Sequence, residues 1–364
     1  VAPEQPARAI WGLLATVEGV GSARRLARLC GEHDAYRWLC GGVPTNYRML
    51  SDFRVAHQRA LDGLLTQIVA SLLAAGAVTL ERVAQDGMRV RASAGSSSYR
   101  RRERLEGCLK EARAQVARLA KEREHPGPGV SRREQSARER AAREREERVA
   151  QALEYLPQAQ AAKERQQQTR SIPQRSKVTA PRTSSTDPEV RVMKMPDGGF
   201  RPAYNIQLAT DGDSGVIVGV EVVNTADSGQ AAPMEEQVVQ RTGEHPKCYL
   251  MDGGFATRED ITTLERRGVT VYAPVRLPRN KPGEERYQAR YEDSPEVVRW
   301  RRRMATEEAK AMYRQRGSTA EWANAQVRQH GVSQFNVRGL AKVSTVMLLV
   351  VVAHNLMRWS TMAP

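Results

Sequence analysis

Cysteine and aromatic residues are scarce in this chain, and neither histidine nor glycine is arranged for the chemistry it often serves. The four cysteines, Cys30, Cys40, Cys108 and Cys248, are widely spaced, with no C-x-x-C pair and no histidine at zinc-ligand spacing. That pattern excludes a disulfide scaffold and a zinc module and leaves four reduced, structural thiols. The six histidines, His33, His57, His125, His245, His330 and His354, show no paired spacing on one helix and read as ordinary surface or core residues. No serine-centred nucleophile elbow and no glycine loop built to cradle phosphate occurs. Long apolar runs are missing as well. The longest, residues 343–353, is interrupted by Ser344 and Thr345 and is shorter than the ~20 residues of a membrane span, which predicts a buried core helix. No basic-then-apolar leader stands at the N-terminus, which speaks against secretion, and the first residue is Val rather than Met.

What is present is positive charge, unevenly spread. The 364 residues suffice for two domains or for one with a large insertion, and 57 Lys and Arg face 42 Asp and Glu. The net charge of +15 points to a polyanionic partner, nucleic acid before a ribosomal or membrane surface.

Along the chain, Leu26, Leu29 and Cys30, then Leu61, Leu64, Leu65, Val69 and Leu72, recur at helical spacing up to Gly76. They predict an N-terminal helical domain over residues 1–76, for DNA binding or dimerisation. Gly41, Gly42 and Pro44 break it, and Ser51 and Asp52 are suited to cap the next helix. Residues 79–94 alternate like a strand, so 77–96 is the first strand region, with Asp86 and Gly87 in its middle. Residues 100–175 then hold 20 Lys or Arg against 12 Asp or Glu, more than half of the net charge. Two narrow apolar stripes lie there, Leu105, Leu109, Ala112, Val116, Leu119 and Ala142, Val149, Leu153, Leu156, separated by HPGPGV at 125–130. They predict an inserted basic helical hairpin, either a DNA-binding arm or a solvated, salt-bridged antenna. With a polar linker over 166–181 the insertion covers 97–181.

The remainder, 182–364, alternates strands and helices. Two strands within 201–224 turn at Asp211, Gly212 and Asp213; a helix at 230–241, a strand at 247–255, a helix at 258–267 and a strand at 269–275 follow. Long helices at 295–330 and 339–359 complete it. The order predicts an α/β fold with a mixed sheet flanked by helices, an arrangement the ribonuclease-H-like fold shares with other α/β folds.

Three acids stand out. Asp86 interrupts a strand with the dipeptide Asp-Gly, and reads either as a hairpin turn or as an acid kept for chemistry. Asp252 ends the apolar strand CYLM before Gly253 and Gly254, at a strand's carboxyl end where α/β sheets collect ligands, or else serves as a turn acid like Asp197 in the other Asp-Gly-Gly run. Glu321 lies on a helix with Tyr313, Arg316 and Arg328; the three- and seven-residue spacings put Tyr313 with Arg316, and Glu321 with Arg328, on one face each. Alone, Glu321 reads as solvent-facing. Carboxylates converging at one end of a sheet suffice for magnesium, and two such ions ~4 Å apart activate water and neutralise a leaving alkoxide in phosphodiester cleavage. Arginines beside them hold phosphates.

The run TDPEVRVMKMPDGGFRPAYNIQLATD (186–211), then YLMDGGFA (249–256), then Y-x2-R-x4-E-x6-R (313–328) resembles bacterial insertion-sequence transposases with a DDE domain. Residues 29–54 and 83–106 resemble the N-terminal part of the same family. The resemblance implies a ribonuclease-H-like core working with two magnesium (or manganese) ions. Asp86 is then the first acid, on the first strand, Asp252 the second, after the fourth strand, and Glu321 the third, on a late helix. Tyr313, Arg316 and Arg328 stand for the family's Tyr, Arg and Lys, and Arg100, Arg101 and Arg102 join them as DNA contacts. The implied partner is double-stranded DNA, transposon ends and target, bound by a homodimer in the bacterial cytoplasm at the nucleoid, with no membrane involved. The implied reaction is water attack at transposon ends, then attack of the freed 3′ hydroxyl on target DNA. Two departures bear on this. Four residues rather than three separate Arg316 from Glu321, which shifts the helical register by one, and Arg328 replaces Lys. Family members also carry a longer segment before GVGSARRL (19–26), which bears on end recognition. The rival expectation is a domesticated or defective transposase that binds DNA without cutting it; a simple nuclease is a third.

Overall fold

The computed structural model describes residues 5–124, 131–168, 180–276 and 286–362. In chain order the elements are α1 (Gln5–Val17), α2 (Ala23–Glu32), α3 (Asp34–Leu39), α4 (Tyr47–Ala56), α5 (Gln58–Ala74), β1 (Arg82–Arg91), β2 (Tyr99–Arg100), α6 (Arg102–Glu124), α7 (Arg132–Glu154), α8 (Leu156–Gln168), β3 (Thr183–Ser184), β4 (Arg191–Lys194), β5 (Phe200–Asp211) and β6 (Ile217–Val223). Then come α9 (Ala231–Thr242), β7 (Cys248–Met251), α10 (Arg258–Arg266), β8 (Thr270–Tyr272), α11 (Pro295–Met304), α12 (Glu307–Arg316), a π turn (Gly317–Glu321), α13 (Trp322–Gln329) and α14 (Leu340–Met362). They form two compact units, residues 1–90 with 205–336 and 340–364, and residues 91–204 with 337–339.

In the first unit the helical N-terminal region closes on Trp11, Leu26, Cys30, Tyr36, Cys40 and Leu50. Gly41 and Gly42 take positive φ after α3, as the break there requires. The cap of α4 is Asn46, accepting from Arg48 N, rather than Ser51 or Asp52, which lie inside that helix. The apolar stripe of α5, Leu61, Leu65, Val69 and Leu72, is buried.

The strands order as β5-β1-β7-β8, with β6 also on β5. The pairs β1–β7 and β7–β8 are parallel, and β5–β6 is antiparallel around residues 212–216. β1 runs unbroken through Asp86 and Gly87, so that dipeptide is not a hairpin turn. The helix predicted over 295–330 is broken twice. Thr306 caps a new helix by accepting from Ala309 N, and a π turn separates α12 from α13. The C-terminal helix α14 has 23 residues. That makes it long and apolar enough to span a membrane, unlike the shorter run seen in the sequence, but 67% of its most apolar stretch is buried inside the protein. It packs on α1, α4, α5 and β6. Its Asn355 bonds both backbone groups of Ile217 on β6, Oδ1 accepting at 2.9 Å and Nδ2 donating at 2.8 Å.

In the second unit α6 and α7 pack against each other along the two predicted stripes. Leu105, Val149, Ala152 and Leu156 form the core, with Leu109 and Leu153 against it. Ion pairs Arg113–Glu146 (3.3 Å), Arg145–Glu111 (3.7 Å) and Arg123–Glu139 (3.6 Å) lace the helices in antiparallel order. The predicted break at 125–130 lies outside the described residues. So does most of the predicted linker at 166–181, whose first residues continue α8. β4, which the sequence reading lacked, pairs antiparallel with the start of β5.

Candidate active site at the strand ends

The parallel register of β1 and β7 ends with Gln85 beside Met251, so Asp86 and Asp252 follow at adjacent positions on neighbouring strands. Side chains alternate across a sheet, which puts Asp86 on the face of Ala84 and Asp252 on that of Leu250. Ala84 and Leu250 pack with Ala320 of the π turn in one small apolar cluster, and Glu321 is the next residue. The helical segment carrying the third acid is thereby seated on the face that bears the other two.

Polar contacts continue that arrangement. Asn324 Nδ2 donates to Asp86 Oδ2 at 3.0 Å, and Arg316 Nη1 lies 3.5 Å from the same oxygen. Arg316 Nη2 is 3.6 Å from Glu321 Oε1, so one guanidinium bridges two of the three acids. Asp86 Oδ1 accepts from Gly87 N at 2.9 Å. Burial raises the Asp86 carboxyl above its ordinary range; Arg316 and the Gly87 N–H oppose this, while the like charges of Asp252 and Asp227 add to it. Burial alone would lower Arg316, but Asp86, Tyr313 and Asp252 outweigh it and hold the guanidinium firmly charged. Burial likewise raises Tyr313, and the neighbouring Arg316 guanidinium opposes it.

The structure therefore brings Asp86, Asp252, Tyr313, Arg316 and Glu321 into one electrostatic group. Asp252 is exposed, and the Glu321 side chain is 67% exposed. Arg328, at the end of α13, is exposed as well. Arg100, Arg101 and Arg102 belong to the second unit, where Arg102 pairs with Glu106 at 3.7 Å.

The π turn explains the unusual spacing. A wide i→i+5 turn takes up one extra residue while keeping the residues on either side on their original face. The fourth residue between Arg316 and Glu321 falls within Gly317–Glu321, so the extra residue does not carry Glu321 away from Arg316.

Two further groups escaped the sequence reading. Asn324 had a weak signal, one helical turn after Glu321. Asp227 had none, because TADSG at 225–229 reads as turn-forming polar residues. Yet the Asp227 side chain is only 18% exposed, and it packs against Gly87, next after Asp86, and Gly254, two residues after Asp252.

An oxygen-only donor set of this kind matches what a hard divalent cation takes. As the side chains stand, Arg316 lies between Asp86 and Glu321, and among the described residues no three acidic, histidine or cysteine side chains form a group that would hold an ion.

Residues 176–356 match the family model described as the transposase DDE domain, a span that takes in Asp227, Asp252 and Glu321 and starts after Asp86. No curated protein and no solved structure matches the chain.

Proposed function

Because this chain belongs to the transposases that carry a DDE domain, of the insertion-sequence type, we propose that it cuts transposon ends and joins them to target DNA with Asp86, Asp252 and Glu321 on a ribonuclease-H-like core. DNA is its partner and a divalent metal ion its cofactor by family; magnesium or manganese, and a homodimer on the DNA, belong to the proposal. The observation that carries it is the adjacent register of Asp86 and Asp252, with Ala320 seating Glu321 on the same face. The strand order β6-β5-β1-β7-β8, with β1, β7 and β8 parallel, supports the core. In this reading the first acid lies on β1 and the second directly follows β7, its parallel neighbour.

Asp86 and Asp252 would hold the metal, with Glu321 joining them. A divalent ion bound there supplies an activated water and charge neutralisation at the leaving oxygen. The chain's own residues do the rest. Asn324 orients Asp86, and Arg316, balanced between Asp86 and Glu321, frees both carboxylates when it turns to a phosphate, with which it forms a paired, charge-assisted contact. Tyr313 lies beside that guanidinium and favours its charge, and Arg328 and Arg100 to Arg102 contact the DNA backbone. In the first step the water oxygen bonds to phosphorus, loses its proton, and the 3′ oxygen leaves and is protonated. In the second, that 3′ hydroxyl loses its proton as its oxygen bonds to a target phosphorus, and the 3′ oxygen displaced from the target strand is protonated as it leaves.

Asp252→Asn tests this directly. We expect Mn2+- or Mg2+-dependent nicking of plasmid carrying the DNA that flanks the coding sequence to fall by at least ~1000-fold, while binding of the same DNA persists. Unchanged nicking would remove Asp252 from the reaction. The Arg316 bridge also favours a second reading, a transposase that binds DNA without cutting, in which the wild-type chain gives no nicking under any divalent ion. Joining of pre-nicked ends to a target separates a transposase from a simple nuclease.

A further inference from the structure

The face of β1 opposite Asp86 carries Gln85, Gly87 and Arg89, and the buried polar groups there form one directional chain. Tyr249 Oη donates to Gln85 Oε1 at 2.8 Å, Gln85 Nε2 to Gln207 Oε1 at 3.1 Å, and Gln207 Nε2 to Asp227 Oδ1 at 3.0 Å. Asn205 Nδ2, at 2.7 Å, and Arg89 Nη2, at 3.1 Å, converge on the same carboxylate. Gln85, Asn205, Gln207 and Tyr249 are fully buried, and Asn205 Oδ1 has no hydrogen-bond partner among the described residues. The chain thus crosses the neighbouring strands β7, β1 and β5 just below the two catalytic candidates and ends on Asp227.

Its end point lies against Gly87, next after Asp86, and Gly254, two residues after Asp252. A Cβ on Gly87 would collide with Asp227 Oδ1 and stand 2.8 Å from Gln207 Nε2 and 2.9 Å from the unpartnered Asn205 Oδ1. Only glycine after Asp86 admits that carboxylate. A Cβ on Gly254 would lie 3.6 Å from Asp227 Oδ2 and 4.0 Å from Asp252 Oδ2. The Asp227 backbone is fixed too. Gln230 N donates to its carbonyl at 3.2 Å, and Asp260, inside the capping pair of α10 with Thr257, accepts from Gly229 N at 3.1 Å and Ala232 N at 3.2 Å. Buried amides and a buried carboxylate cost desolvation that apolar side chains would not, and what they give in return is a fixed geometry.

We infer that Asp227 is a positioning residue for the two catalytic aspartates, an inference that rests on the reading of Asp86 and Asp252 given above. Three donors occupy its carboxylate, so it is no ligand itself. It holds the backbones after Asp86 and Asp252 at the separation at which one ligand meets both, much as outer residues orient the first ligands of a metal site.

The test uses the full chain and compares Asp227→Asn with Asp252→Asn. The asparagine keeps the size of the side chain and loses the charge that Arg89 meets. Expected for Asp227→Asn are a melting temperature within ~3 °C of wild type, unchanged affinity for the flanking DNA, and Mn2+-dependent nicking at saturating DNA slower by at least ~10-fold. Calcium binding without DNA, read by calorimetry, is expected to weaken several-fold, which a merely structural role would leave alone. If Asp227→Asn does not fold, Arg89→Lys leaves the carboxylate and both amides in place and carries the same expectations. Wild-type nicking and calcium binding by the Asp227 variant, beside an inactive Asp252→Asn, overturn the positioning role alone. Nicking by Asp252→Asn overturns the reading beneath it and the positioning role with it.

Discussion

A guanidinium between two carboxylates neutralises charge that would otherwise push them apart, and Arg316 does this for Asp86 and Glu321 at 3.5 and 3.6 Å. Burial works in opposite directions on acids and bases, and the opposite sign appears at His354. That ring is 3% exposed, its Nε2 donates to the Gly215 carbonyl at 3.0 Å, and Trp322 and His330 stand edge-on to it. Burial above all, with His330 and Arg358 adding to it, lowers its pKa from 6.5 to about 4, and the Gly215 carbonyl opposes the shift. Between those values the unfolded chain binds the proton and the folded one does not, so stability rises with pH across the window. It is fully present above 6.5 and is lost as pH falls through 4, on the order of 3 kcal/mol. His354→Gln should flatten that loss, measured as melting temperature from pH 7 to pH 4.5. An identical pH dependence in the variant would show that His354 does not carry it; the raised carboxyls of Asp86, Asp187 and Glu221 act with the opposite sign and are common to both proteins. At this scale the sequence exposed those residues whose type conflicts with their element. Asp86 in a strand and Asp252 at a strand end were visible as anomalies. Asp227 was not, since an aspartate in a polar loop is what any loop contains, and its importance arises from contacts with Gly87, Asn205 and Gln207, far away in the chain.

Among the elements, the π turn is where sequence and geometry meet most informatively. Its cause is one surplus residue between fixed points, Met304 and Ala309 packing before the turn, and Ala320 near its end with Ala323 and Val327 beyond it. If so, removing the surplus should cost little. Deleting Ser318, an exposed position within the turn, should yield a continuous α-helix that keeps Tyr313, Arg316 and Glu321 together, with melting temperature and nicking near wild type. Inserting one alanine there should rotate everything beyond by ~100° and abolish nicking. A deletion that destroys activity in a folded protein would mean the wide turn is itself required. The same reasoning explains which elements were legible. Alternation announced β1, β5 and β6, and apolar residues beside glycines announced the short β7 and β8, whereas β2, β3 and β4, with two to four residues, YR, TS and RVMK, carry neither signal. The continuous pattern over 295–330 hid a helix break at Ala305 and Thr306, because a threonine cap is a single-residue signal inside a polar stretch.

For the molecule as a whole, the useful quantity is how its surplus charge is distributed rather than its total of +15. Salt bridges along α6 and α7 consume part of the hairpin's positive charge, yet residues 113–145 still hold ten Lys or Arg against five Glu. An antenna stabilised only by its own ion pairs would have no reason to keep that excess, whereas a DNA-binding arm would. Replacing 113–145 with a short Gly-Ser turn leaves the cluster of Leu105, Leu109, Val149, Ala152, Leu153 and Leu156 intact, so the second unit should still fold. Each phosphate the hairpin neutralises contributes ~0.9 to the slope of log affinity against log salt. We expect the shortened chain to bind DNA more weakly at 50 mM salt and to show a slope shallower by about two or more. A slope that does not change would mean the hairpin touches no phosphate, and its basic face would then need a different partner.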